Sequence, residues 1–331
     1  MWILIRDAIT YACMLILMSI GLTLTYITTK VPNFAHGEIA IIGLYTAFSV
    51  LHLLHLTPYA AIPIAFVLGA GAALALYKLV LKPLSARGAT IDHLMIATLG
   101  YDMIIFAILN VYAETLRELY PRFTGKPLKT RGFMPFKAHD FTLAGQPGVF
   151  FTSLATVLIC TLALHLLLTK TRFGIAMRAT IENPDLASVF GVNTELVYTV
   201  SWILAGGLAG LAGVFLSFYF RGDTCLGFVL IVPVFTASIV GGFYSIYGAI
   251  LGGAIAGLSE YLITYAISLA VGPWFLGYRI TIPLIMLAIT LLLAPEGLTG
   301  IEWSKVLRQL RAKLAGLSSR AVARLTGVVG R

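Results

Sequence analysis

Four charged side chains stand inside or beside long apolar runs of this chain: Glu38, Lys78, Asp102 and Glu260. A charge at membrane depth is costly, so each is a candidate for handling a polar solute, an ion or a proton. Glu38 and Lys78 fall near the ends of their runs, where snorkelling to the interface accounts for them. Asp102 and Glu260 lie deeper. They read either as buried hydrogen-bonded partners of Tyr, Ser or backbone, or as a polar wall for a zwitterion in a water-filled path. Other chemistries find little support. His52 and His55 stand alone on an apolar run, which is no metal site, and no Ser/His dyad is evident. Cys13, Cys160 and Cys225 are far apart, neither a disulfide framework nor a metal cluster. No G-x-x-x-x-G-K-[ST] occurs, so no nucleotide site and no cofactor are expected.

The elements that must position these residues follow from composition. Of 331 residues, 59% are hydrophobic and 11% charged, with mean hydropathy +0.93. A soluble domain carries about 25% charged residues. Apolar stretches recur at 8–29, 39–56, 58–81, 94–111, 148–169, 196–220, 227–243, 246–271 and 274–294. Each suits a hydrocarbon core about 30 Å thick. Backbone in lipid must bond internally, which makes these helices, and short alternating strands of a barrel are not seen. The expected fold is an all-α polytopic transmembrane bundle of 8–9 spans. Segments 39–56 and 227–243 border Gly-rich stretches and read as full spans or as re-entrant helices. The first run, Ala8 to Thr29, is longer than a signal-peptide core and reads as a span.

The net charge of +9 reads as a topology signal, since the basic residues do not interleave with aromatics as on a nucleic-acid surface. With the N-terminus outside, Lys30, Lys78, Lys82, Arg87, Lys170, Arg172, Arg178 and seven basic residues of the tail fall inside. Six of the outside ones lie in the segment 112–147, read as an extracytoplasmic loop. Trp2, Trp274 and Trp303 mark span ends. Residues 1–302 form the membrane domain. Residues 303–331 form a basic cytoplasmic tail, either disordered or an amphipathic helix on the anionic inner leaflet.

The polar stretch 170–195 carries strong local signals. Asn183 suits an N-cap, Pro184 the first helical position and Asp185 the positive helix end. Gly191 suits the stop. The spacing predicts a helix over 184–190, preceded by another around 174–182. The later spans are dense in small residues at helical spacing: Gly206, Gly210 and Gly213, then Gly248, Gly252, Gly253 and Gly257. Such patterns let helix backbones approach closely, whether for plain packing or for a sliding interface.

Five segments in register resemble the permease subunits of the branched-chain amino acid ABC importers. They are Asn33-Phe34-Ala35-His36-Gly37-Glu38; Arg178-Ala179 with Glu182-Asn183-Pro184-Asp185, Ala187 and Gly191; the run Ala205 to Gly213; Gly241-Gly242 with Gly248, Gly252, Gly253, Gly257 and Glu260; and the closing Pro295 to Gly300, with Thr299 where the family has Phe. The resemblance implies that 170–195 docks into a separate ATPase and that the chain is itself no enzyme. It implies as partners a second permease subunit, two cytoplasmic ATP-binding subunits and an extracytoplasmic solute-binding protein, in the cell inner membrane. The solute expected is a branched-chain amino acid or a similar small polar compound, with urea and amides also carried by related permeases. His36 reads as the anchor of a turn, not a ligand. The competing readings are an ion- or proton-coupled secondary transporter with Asp102 and Glu260 as a relay, and, less in keeping with the residues, an intramembrane enzyme.

Overall fold

The computed structural model describes residues 2–125 and 132–300. The tail expected from 303 onward, with Trp303, lies outside the described residues, as do Lys126, Lys129 and Arg131. All nine apolar stretches are helical in whole or large part. In chain order the helices are α1 (Trp2–Thr29), α2 (His36–His52), α3 (Ala61–Ala75), α4 (Lys82–Ala86), α5 (Ile91–Thr124), α6 (Gly148–Lys170), α7 (Arg172–Glu182), α8 (Pro184–Val189), α9 (Thr194–Tyr219), α10 (Leu226–Gly241), α11 (Ile246–Val271) and α12 (Thr281–Leu293). A 3₁₀ turn at Pro58–Ala60 leads into α3, and a π-helical segment, Leu76–Leu81, joins it to α4. Among the described residues, six helices are long and apolar enough to cross a membrane, and α10 and α12 are shorter apolar helices.

Helix α1 runs through the centre, buried from Thr10 through Thr25 and touching α6, α9, α10 and α11. Its core position follows from having no polar face. α9 packs against α1, α2 and α3, and α10 pairs with α11. Glycines make these approaches possible. A Cβ on Gly213 would sit 1.8 Å from the Ala40 carbonyl oxygen of α2, and one on Gly252 would sit 2.0 Å from that of Ala237 on α10. Gly206 and Gly210 face α3 in the same way, and Gly257 lies against Ala12 of α1. By contrast α5, α6 and α12 keep broad apolar exposure, as lipid-facing helices do.

Two segments differ from expectation. Residues 112–124 are helix and not loop: α5 continues because Leu109, Ala113 and Leu116 recur at helical spacing and are buried, and Glu114 pairs with Arg117. It stops at Gly125, whose φ of +68° is the left-handed conformation of a helix terminus. The rest of the described segment holds a short hairpin, Thr142–Leu143 with Gln146–Pro147, and an aromatic cluster in which Phe133 and Phe136 stack at 4.9 Å. The stretch 274–294 divides into a 3₁₀ segment, Pro273–Tyr278, and α12 of 13 residues.

Candidate functional site

The polar stretch between α6 and α9 folds as two short helices. Thr171 caps α7 by accepting the Gly174 amide at 3.1 Å. Asn183 caps α8 by accepting the Leu186 amide at 3.0 Å, with Pro184 at the first position. Gly191, at φ +82°, ends it: its amide reaches the Ser188 oxygen at 3.0 Å, and the Val192 amide reaches Ala187 at 3.0 Å. This paired bonding past the helix end is the Schellman arrangement. Ala187 is buried, while Leu186, Val189 and Phe190 are exposed. Arg178, Glu182 and Asp185 are exposed as well, and Ala179 is half-buried. Behind the loop, the first turn of α9 is held in place. Glu195 pairs with Lys78 of the π segment and with Lys82 of α4 at 2.9 Å, and accepts from the Tyr77 hydroxyl at 3.0 Å.

Inside the bundle the acidic residues have different neighbours. Glu260 accepts from the Tyr11 hydroxyl at 2.8 Å and pairs with Arg279 at 3.1 Å. The Arg279 guanidinium lies 4.4 Å from the Phe220 ring centre and 5.0 Å from that of Tyr11, which suits cation–π attraction. Asp102 is buried within electrostatic reach of Glu38. The structure therefore does not join Asp102 and Glu260 in one hydrogen-bonded set. Glu38 corrects an expectation: it does not snorkel to an interface but is fully buried, its carboxylate against Gly227 of α10 and both oxygens without a hydrogen-bond partner. The cause is its place in the first turn of α2, where Gly37 and Gly227 let the two helices nearly touch. His36 is an anchor, with Nε2 2.9 Å from the Met18 oxygen of α1. That contact requires the proton on Nε2. Asn33 closes the turn before it, accepting the Ala35 amide at 3.1 Å, and Phe34 stacks on Phe235 at 5.1 Å. His52 joins the aromatic cluster 6.0 Å from the His139 ring, and no metal-binding group of side chains occurs among the described residues.

These placements put the candidate motifs at helix junctions of one bundle. The profile of a family described as "Branched-chain amino acid transport system / permease component" matches residues 4–294. The chain belongs to this permease family. It is 45% identical over 307 residues to a probable branched-chain amino acid transport permease protein LivH of Methanocaldococcus jannaschii, covering 93% of this chain and 95% of that protein. It is 27% identical over 305 residues to the high-affinity permease protein LivH of Escherichia coli, covering 88% and 91%. It is 27% identical over 301 residues to the high-affinity permease protein BraD of Pseudomonas aeruginosa, covering 88% and 92%. No solved structure matches the chain. As a permease of this family it is a multi-pass membrane protein and a transport subunit, not an enzyme, and it works with other ABC transporter components.

The permease's closing motif is a clasp. The Leu298 amide bonds the Val240 oxygen at 2.8 Å, and the Thr299 hydroxyl bonds the Gly241 oxygen at 2.8 Å. Gly242, at φ +105°, and Gly248 lie against the same Thr299 side chain. Gly253 lies against Ile16 of α1. Sequence reasoning missed Tyr11, Glu195 and Arg279. Arg279 had a usable signal, being the one charged side chain inside the stretch 274–294. Tyr11 and Glu195 had none, because their partners lie 249 and 117 positions away.

Proposed function

We propose that this permease forms the translocation path of an ABC importer for branched-chain amino acids or similar small polar solutes, driven by ATP hydrolysis on a separate subunit. The observation that carries the proposal is the rigidly capped α7–α8 pair with its exposed apolar tip, Leu186, Val189 and Phe190. Exposed apolar residues on an otherwise polar connection suit docking into a partner. Arg178, Glu182 and Asp185 ring that tip for charge pairing, and Ala179 and Asn183 to Gly191 set its shape. A lever must be stiff at both ends, and the Glu195 pairs with Lys78 and Lys82 join the end of the loop to the bundle. In this reading the partners are a second permease subunit, two cytoplasmic ATP-binding subunits and an extracytoplasmic binding protein. Asp102 and Glu260 border the path.

The membrane is the cell inner membrane and the spans number eight or nine, with α2, α10 and α12 completing the six longer ones. Residues 170–195 face the cytoplasm, and the described part of the connection before α6 lies outside. Two observations support this orientation. Lys30, over the Tyr244 ring at 5.0 Å, and the Lys78–Lys82–Glu195 group sit at the ends of α1 and α3. Arg6, bonded to Gln146, and Lys137, over the Tyr219 ring at 5.2 Å, sit at the start of α1.

The test is Gly191→Pro, which removes a bonded amide and forbids the positive φ, and Ala187→Arg, which forces a charge into a buried site. In the reconstituted importer both should lower uptake and solute-stimulated ATPase at least about tenfold with membrane insertion intact. Normal coupling in both variants would refute the docking assignment.

A further inference from the structure

A second polar site lies at the far end of the bundle. Helix α6 starts beside the start of α1, where the Trp2 and Phe150 rings are 6.5 Å apart, and runs 23 residues to α7. At about 1.5 Å per residue that is some 35 Å. At the α1 start, α1 and α11 run antiparallel, with Ala12 against Gly257 and Tyr11 bonded to Glu260. The 3₁₀ segment after α11 returns the chain so that Arg279 meets both. These elements border a half-open cavity of about 460 Å³ lined by Asp7, Glu260, Thr264 and Arg279 on its polar side and by Leu4 and Leu276 among its apolar residues. That volume falls within the ordinary range for small-molecule sites.

The polar groups have unused capacity. Asp7 Oδ1 receives Arg6 at 2.9 and 2.7 Å and the Tyr219 hydroxyl at 3.2 Å, while Oδ2 receives none of these bonds. Arg279 spends Nε on Glu260 and Nη2 on Tyr11, which leaves Nη1. Thr264 is 4% exposed, and its hydroxyl has no partner, although a helical threonine ordinarily bonds a carbonyl one turn back. A buried hydroxyl without a bond is unfavourable, and a polar ligand removes that cost. A carboxylate with a spare oxygen, a guanidinium with a spare nitrogen and an apolar remainder together match the three parts of an aliphatic α-amino acid.

We infer that this cavity is a binding site for a free aliphatic α-amino acid, with Arg279 taking the carboxylate, Asp7 the ammonium, and Thr264 a hydrogen bond to the head group. The choice of ligand rests on the transport reading above. A zwitterionic lipid head group shares the charge pattern, so the test separates the two. Radiolabelled L-leucine is titrated onto the full chain in phosphatidylglycerol nanodiscs. Binding should be saturable. Leucinol, lacking the carboxylate, and 4-methylpentanoate, lacking the ammonium, should compete at least about tenfold more weakly than L-valine. Thr264→Val, which replaces the hydroxyl by a methyl of the same shape, should weaken leucine about fivefold while the ligand-free melting temperature stays equal to or above the parent's. Absent saturation, equal competition by the half-molecules, or affinity unmoved by Thr264→Val overturns the site. Displacement of leucine by phosphatidylethanolamine in the discs overturns it in favour of lipid. Uptake by the reconstituted importer is read separately. Uptake without leucine bound to this chain removes the site and leaves the function, and binding without uptake does the reverse.

Discussion

A carboxylate buried among helices is tolerable when something answers its charge, and Glu260 has two such groups, the Tyr11 hydroxyl and the Arg279 guanidinium. Glu260→Gln keeps an acceptor for Tyr11 but leaves Arg279, itself about a quarter exposed, without its counter-charge. The expected cost is about 1–2 kcal/mol, below the figure for a fully buried pair because the guanidinium is only partly buried. Arg279→Gln should cost a similar amount. The double variant should lose less than the sum, by about 0.5 kcal/mol or more, in equilibrium unfolding in mixed micelles. Strict additivity would mean that the two groups do not stabilise one another. Glu38 poses the opposite case, a buried carboxyl with no donor at either oxygen. Its position beside Gly227 was not legible from sequence, because the shared glycine contact brings together helices nearly two hundred residues apart.

At the level of elements, helix contact is set by backbone and not by large side chains. Gly213 admits the Ala40 carbonyl so closely that Gly213→Ala must push α9 from α2, an overpacking cost of about 1–3 kcal/mol. Gly71→Ala is the matched control, since a Cβ there meets nothing within 4 Å and alanine favours helix. Thermal unfolding should separate the two, with Gly213→Ala clearly lower and Gly71→Ala equal to or above the parent. If both behave alike, the close approach is unimportant. Such glycines were visible in the sequence as a spacing pattern, yet the pattern alone did not say which helix each one meets. The caps of α8 were legible to the residue, because Asn183, Pro184 and Gly191 act through bonds within four positions. The length of α5 was not legible, because its last turns alternate charge and apolar residues and are held by packing that only the fold supplies.

For the whole molecule, hydropathy alone placed a helix in each apolar stretch, with its largest misses at the end of α5 and the start of α12, since lipid leaves the backbone no other choice. The cavity at the far end escaped it, being assembled from α1, α11 and the turn before α12. The orientation proposed above has a simple check that needs no new residue. Cys225 is exposed in the turn between α9 and α10, while Cys13 is buried in α1. A membrane-impermeant maleimide should label intact cells at Cys225 and leave Cys13 untouched. Labelling only after the membrane is opened would invert the topology.

The clasp at residues 295–300 also bears on how short this protein can be cut. The stretch shared with the family profile ends at 294, yet Leu298 and Thr299 hold the α10–α11 corner through Val240 and Gly241. A chain shortened to the shared stretch would keep all its crossings and lose the fastener at their corner. The shortest version that keeps these bonds ends no earlier than Thr299.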